Sequence, residues 1–227
     1  TDSIEILQPS PLQLNIINVV DVICYGESNG RAEVEVVSNS GSSPYEYSWS
    51  NGVTTALNTS LDAGVATCQV TDANNCQATI TITINQPAEM NLEVLNIIDN
   101  LCYGDAIGEI LVAASGGNSP YEYSINNVFQ TDPLFENLSS AVYTLNFKDA
   151  NDCLSDPVDQ EVKEPAEIDL IISANRSTCY MTDDGVVEVV FNNGVAPYEY
   201  IFYKDGNIFV SGNVYHQGDT LVLTHLS

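Results

Sequence analysis

The stretch "NSPYEYS", residues 118–124, has two near-copies in the chain: "SSPYEYS" at 42–48 and "VAPYEYI" at 195–201. Pro44 and Pro120 are 76 residues apart, and Pro120 and Pro197 are 77 apart. Other landmarks keep the same step. "CYG" starts at Cys24 and Cys102 and "CYM" at Cys179; "DANNC" ends at Cys76 and "DANDC" at Cys153; prolines of "QP" or "EP" stand at Pro9, Pro87 and Pro165. Several signals with one period define an internal repeat of about 78 residues. The chain divides into residues 10–87, 88–165 and 166–227, the third stopping short of a full period. Residues 1–9 ("IEILQP" against "ITINQP") read as the last strand and linker of a preceding unit, so the chain is expected to be a piece of a longer array.

Within each unit apolar and polar residues alternate with period two, the mark of half-buried strands. Ala32, Val34 and Val36 fall on one face of "AEVEVVS"; Ile110, Val112, Ala114 and Val187, Val189, Phe191 repeat the register. In the "PYEY" phrase the same face carries Tyr45, Tyr47 and Trp49, then Tyr121, Tyr123 and Ile125, then Tyr198, Tyr200 and Phe202. These aromatics are assigned to the core with hydroxyls at its edge. Turn residues separate about seven short strands per unit, and no helical period occurs. The fold class is all-β: tandem immunoglobulin-like β-sandwich repeats of about 78 residues.

Composition narrows the function. The net charge of −26, with 5 Lys and Arg against 31 Asp and Glu, excludes a nucleic-acid partner, which needs clustered cations. It also disfavours an electrostatically held membrane surface. No apolar run reaches the ~18 residues of a membrane span, so no membrane insertion is expected. The chain has no GxSxG or HExxH and no phosphate loop, and its two histidines, His216 and His225, both lie in the third unit. It is not expected to be an enzyme.

Six cysteines point to an oxidising setting. Cys24 with Cys76, and Cys102 with Cys153, are expected to form one disulfide inside each complete unit, each adding roughly 4 kcal/mol in the chain-entropy model. Such a bridge would tie the start of the unit to its last hairpin, near one end of the sandwich. Cys179 starts a third pair whose mate is expected beyond Ser227, and Cys68 aligns with Leu145 as a buried thiol.

Other candidate site residues are few. Tyr25, Tyr103 and Trp49 are the aromatics placed to stack on a sugar, although packing in place explains them more cheaply. Asp72, Asp149, Asp183 and Asp184 recur in acidic loops and are the calcium candidates; no EF-hand spacing occurs, and Asp in "DAN" equally serves a turn. No other cofactor is expected. "DSI" and "DTL" resemble a short bacterial O-glycosylation motif, at Ser3 and Thr220.

Taken together, C-x-G-x-x-x-G, P-Y-x-Y-S-W, N-G, L-x-A-G, V-T-D-A-N-x-C and Q-P resemble the SprB repeat. The first unit carries "CYGESNG", "PYEYSWSNG", "LDAG" and "VTDANNC"; the second keeps most of these, with Ile125 in place of Trp49; the third keeps "CYMTDDG" and "PYEYIFYKDG". The resemblance implies a long adhesin or filament on the bacterial cell surface, exported by type IX secretion in Bacteroidetes and linked to gliding motility. Its partners would be neighbouring repeats, the secretion and gliding machinery, and a polysaccharide or external surface. In this setting the units act as stalk or spacer; the alternative is a set of carbohydrate-binding accessory modules of a secreted multidomain protein. The third unit lacks its last two strands, which residues outside these 227 or another chain are expected to supply.

Overall fold

The structure is a computed structural model and describes residues 10–179 and 184–226, without the side chain of His225. Ser3 and Asp183 lie outside the described residues. Among these residues there are eighteen strands and no helix, hence no helix long and apolar enough to cross a membrane.

The first unit contains β1 (Leu14–Val20), β2 (Gly30–Val36), β3 (Glu46–Trp49), β4 (Leu57–Leu61), β5 (Gly64–Thr71) and β6 (Gln77–Ile84). They form two three-stranded antiparallel sheets, β1-β2-β4 and β3-β5-β6, facing each other across one core. The second unit contains β7 (Asn91–Ile98), β8 (Gly108–Ser115), β9 (Glu122–Ile125), β10 (Val128–Gln130), β11 (Leu134–Leu138), β12 (Ala141–Lys148) and β13 (Val158–Val162). Its sheets are β7-β8-β11 and β10-β9-β12-β13. Each is an immunoglobulin-like β-sandwich.

The extra strand β10 follows a two-residue turn in which Asn126 and Asn127 both have positive φ, the twist-matched hairpin geometry. In the first unit "SNG" makes a wider turn closed by Trp49 N–H on Val53 O at 2.9 Å, and no such strand forms. The complete units therefore have six and seven strands rather than a uniform seven.

The period-two reading places the core. Ala32, Val34, Ile110, Val112, Val189 and Phe191 are buried. Phe147 and Leu145 are fully enclosed, with Tyr121 edge-on to Phe147 at 5.2 Å. The first tyrosine of each "PYEY" donates its hydroxyl to a carbonyl five residues back: Tyr45 to Ser40 O at 3.2 Å, Tyr121 to Gly116 O at 2.8 Å and Tyr198 to Asn193 O at 2.6 Å. The ring fills the core while its oxygen closes the preceding turn. Tyr47, Tyr123 and Tyr200 are half-buried on the same face.

The third unit contains β14 (Asp169–Asn175), β15 (Gly185–Asn192), β16 (Tyr198–Lys204), β17 (Asn207–Val214) and β18 (Thr220–Leu226). One sheet, β14-β15-β18, is complete; the other is only the hairpin β16-β17, turned by Asp205–Gly206. Counterparts of β12 and β13 are absent among the described residues. Four residues form its buried core, against ten and eight in the first two units, and every residue of β14 is exposed.

Candidate functional site: the junction between units

The two glycines of C-x-G-x-x-x-G have separate causes. Gly26 and Gly104 sit at φ +76° and +78°, where a side chain is strained. Gly30 and Gly108 lie against the last strand: a Cβ there would come within 2.7 Å of Ile84 and 2.6 Å of Val162.

The loop leading up to the first of those glycines is fastened to the trailing end of its own unit. Asn85 N–H donates to Asp21 Oδ1 at 2.8 Å, Val22 N–H to Asn85 O at 2.9 Å and Gly26 N–H to Gln86 Oε1 at 2.9 Å. The second unit repeats the pattern with Lys163 N–H on Asp99 Oδ1 at 2.8 Å and Gly104 N–H on Glu164 Oε2 at 2.8 Å. The Asn85 amide bonds hold the Asp21 carboxyl below its ordinary value. Cys24 therefore belongs to the end where the chain leaves the unit.

The "DAN" hairpin is at the other end. Asp149 accepts from the backbone N–H of Asn118, Asn151 and Cys153 at 2.8–3.0 Å; Asp72 accepts from Ser42, Asn74 and Cys76 at 2.9–3.0 Å. The Cys76 N–H does most to lower the Asp72 carboxyl; burial opposes it, and the N–H groups of Asn74 and Ser42 add to the lowering. Both aspartates bind their own turns. Asp184 accepts from the Thr178 backbone and hydroxyl. Among the described residues no group of three or more His, Cys, Asp or Glu is placed to hold a metal.

This polarity overturns the expected cysteine pairing. Cys24 bonds Cys153 of the next unit, with S–S 2.01 Å, Cα–Cα 5.6 Å and a sequence separation of 129. Cys76 and Cys102 are exposed thiols rather than members of intra-unit bridges. Cys24 and Cys76 cannot meet because the eight-residue strand β6 separates them, about 25 Å at strand rise. A disulfide needs Cα atoms within about 7 Å. Folding sends the cysteines of one unit to opposite ends, and the linker of residues 85–90 then brings the trailing end of one unit to the leading end of the next. Closing so long a loop is worth about 5 kcal/mol in the chain-entropy model.

Tyr25 lines a cleft at this junction with Glu27, Glu89, Asp152 and Cys153. Tyr25 and Tyr103 are 46% and 55% exposed, so neither packs in place. Trp49 is 3% exposed and donates Nε1–H to Thr55 O at 2.8 Å; it is a core residue and cannot stack on a glycan. Cys68 is fully buried, and burial pushes its thiol up. Thr220 begins β18, exposed and paired with Val190. Lys148 bridges Glu122 and Asp152, each at 3.1 Å, and these partners raise its pKa.

A family model described as the SprB repeat matches residues 16–54 and 95–128. No curated protein matches the chain. Among solved structures, three N-terminal domains of the bacteriophage RB49 outer capsid protein Hoc share 12% identity at a TM-score of 0.39, covering 96% of this chain and 87% of that one. Domains 4–9 of the surface layer protein SbsC share 11% at 0.30, covering 95% and 43%. The Dpr2 Ig1–Ig2 complex with DIP-Theta Ig1–Ig3 shares 10% at 0.30, covering 96% and 91%.

Proposed function

We propose that this run of SprB repeats is a stalk segment of a long extracellular filament on a bacterial cell surface, holding units in a fixed succession and passing tension along the chain. The Cys24–Cys153 bond carries the reading, because it joins neighbouring units rather than bracing one. The net charge of −26 supports it, since self-repulsion keeps such a chain soluble and extended. Surface attachment, gliding motility, type IX export and a polysaccharide or other external contact follow from the repeat family and belong to the same proposal.

A pair of spin labels, one in each of the first two units, tests the fixed succession. The oxidised chain gives one narrow distance distribution, and reduction of the junction bond broadens it; an unchanged width would sink the stalk reading. The exposure of Tyr25 and Tyr103 favours a second reading, sugar binding by the units themselves. A polysaccharide panel decides it: saturable binding lost in Tyr25→Ala and Tyr103→Ala makes the units adhesive, and no binding leaves them as spacer.

A further inference from the structure

The third unit and the exposed Cys102 thiol have one common deficit. In the first two units the sheet that begins with the "PYEY" strand is completed by a β-hairpin, β5–β6 or β12–β13, whose turn ends in the cysteine. In the third unit β16 pairs only with β17 among the described residues. We propose that the third unit is an acceptor for a β-hairpin of the β12–β13 type, with a cysteine in its turn, and that this cysteine bonds Cys102.

Four observations fit that occupant. The edge of β16 repeats the edge to which β12 bonds. Glu122, Tyr123 and Ile125 face Lys148, Phe147 and Leu145, and β16 offers Glu199, Tyr200 and Phe202 at the same places. Glu199 awaits a cation as Glu122 holds Lys148 at 3.1 Å. The last strand has its place prepared too. Ile84 and Val162 of the last strand close over Gly30 and Gly108, whereas Gly185 is met by Leu226 of the neighbouring strand alone, and a pocket beside it, lined by Ala174, Val187 and Leu226, has no such side chain among the described residues. β6 and β13 lie against β1 and β7, and their counterpart β14 is exposed along its length, Leu170, Ile171 and Ile172 included. Finally, the linkers 85–90 and 163–168 have equal length and share "PAE", and Gly104 is fastened to Glu164 as Gly26 is to Gln86. A hairpin seated on the third unit would bring its turn to Cys102 as Cys153 is brought to Cys24.

The bond forms by exchange. The Cys102 thiol loses its proton to solvent and attacks a hairpin cysteine already joined to a small thiol; the new S–S bond forms, the old one breaks, and the small thiol leaves with the electron pair. No net oxidation is needed at that step.

The test uses the whole chain with its Cys24–Cys153 bond intact. The probe is a synthetic peptide of the sequence 139–164, its cysteine activated with thionitrobenzoate. At ~100 µM it should modify Cys102 at least about tenfold faster than a scrambled peptide of equal composition and activation, since docking gives millimolar effective concentrations. Cys102→Ser should abolish the fast adduct, while Cys76→Ser and Cys179→Ser should keep it. A Cys→Ser version of the peptide should slow hydrogen exchange along β16. Equal rates for hairpin and scrambled peptides, or an adduct placed on Cys76 or Cys179, would overturn the proposal. So would a fast Cys102 adduct without protection of β16.

Discussion

Pulling the chain by its two ends reads the junction bond directly. The bond joins residues 129 apart in sequence and holds their Cα atoms 5.6 Å apart. Tension entering at the N-terminus crosses sulfur at Cys24 and rejoins the backbone at Cys153, so the intervening residues cannot extend. At about 3.5 Å per residue, the 129-residue separation is worth roughly 450 Å of contour length. Single-molecule force spectroscopy should therefore show the reduced chain extending about 450 Å further at full unfolding than the oxidised one. Cys24→Ser or Cys153→Ser should give the longer value without reductant, whereas Cys76→Ser and Cys102→Ser should change nothing. Intra-unit bridges would behave otherwise. Loops of 52 and 51 residues would hide about 360 Å, and Cys102→Ser would release about half of it. That pattern, or equal extension with and without reductant, would refute the cross-unit bond.

Phe147→Ala removes a fully buried ring from the second core and should cost about 3–5 kcal/mol, seen in calorimetry as a lowered transition for that unit. Tyr121→Phe deletes the bond to Gly116 O and should cost about 1 kcal/mol by denaturant titration. Iodoacetamide on the native chain should label Cys76 and Cys102 quickly and Cys68 only after unfolding, because Cys68 is buried and its thiol raised. The lowered Asp72 carboxyl stabilises the fold above the ordinary aspartate pKa, and that stabilisation should disappear as pH falls through the lower folded value. Asp72→Asn should flatten this acid limb of a stability–pH profile.

The repeat, the strands and their inward faces were legible because each rests on local alternation and on a period that chance does not produce. Ala32, Val34, Ile110 and Val112 needed nothing more than their spacing. The junction was not legible in the same way. Four cysteines in two pairs of repeated positions fit a bridge within each unit and a bridge between units equally well. Deciding between them requires knowing that Cys24 follows the loop fastened to Gln86 while Cys76 stands at the far end of β6. That fact depends on strand direction and pairing rather than on spacing. The alternation that puts Trp49 on the inward face places it correctly in the core, and only its second reading, as a ring free to stack on a sugar, fails with its burial.

The long covalent ring has a further consequence for survival among proteases. Residues between Tyr25 and Asp152 include the exposed turns at Asn51–Gly52 and Asn126–Asn127, where a hydrolase would cut first. A cut at either turn, or at both, leaves the segment before Cys24 joined through sulfur to the segment after Cys153. Hydrolysis inside the ring can remove material without parting the two ends, and only chemistry at the sulfurs or a cut outside the ring divides the molecule.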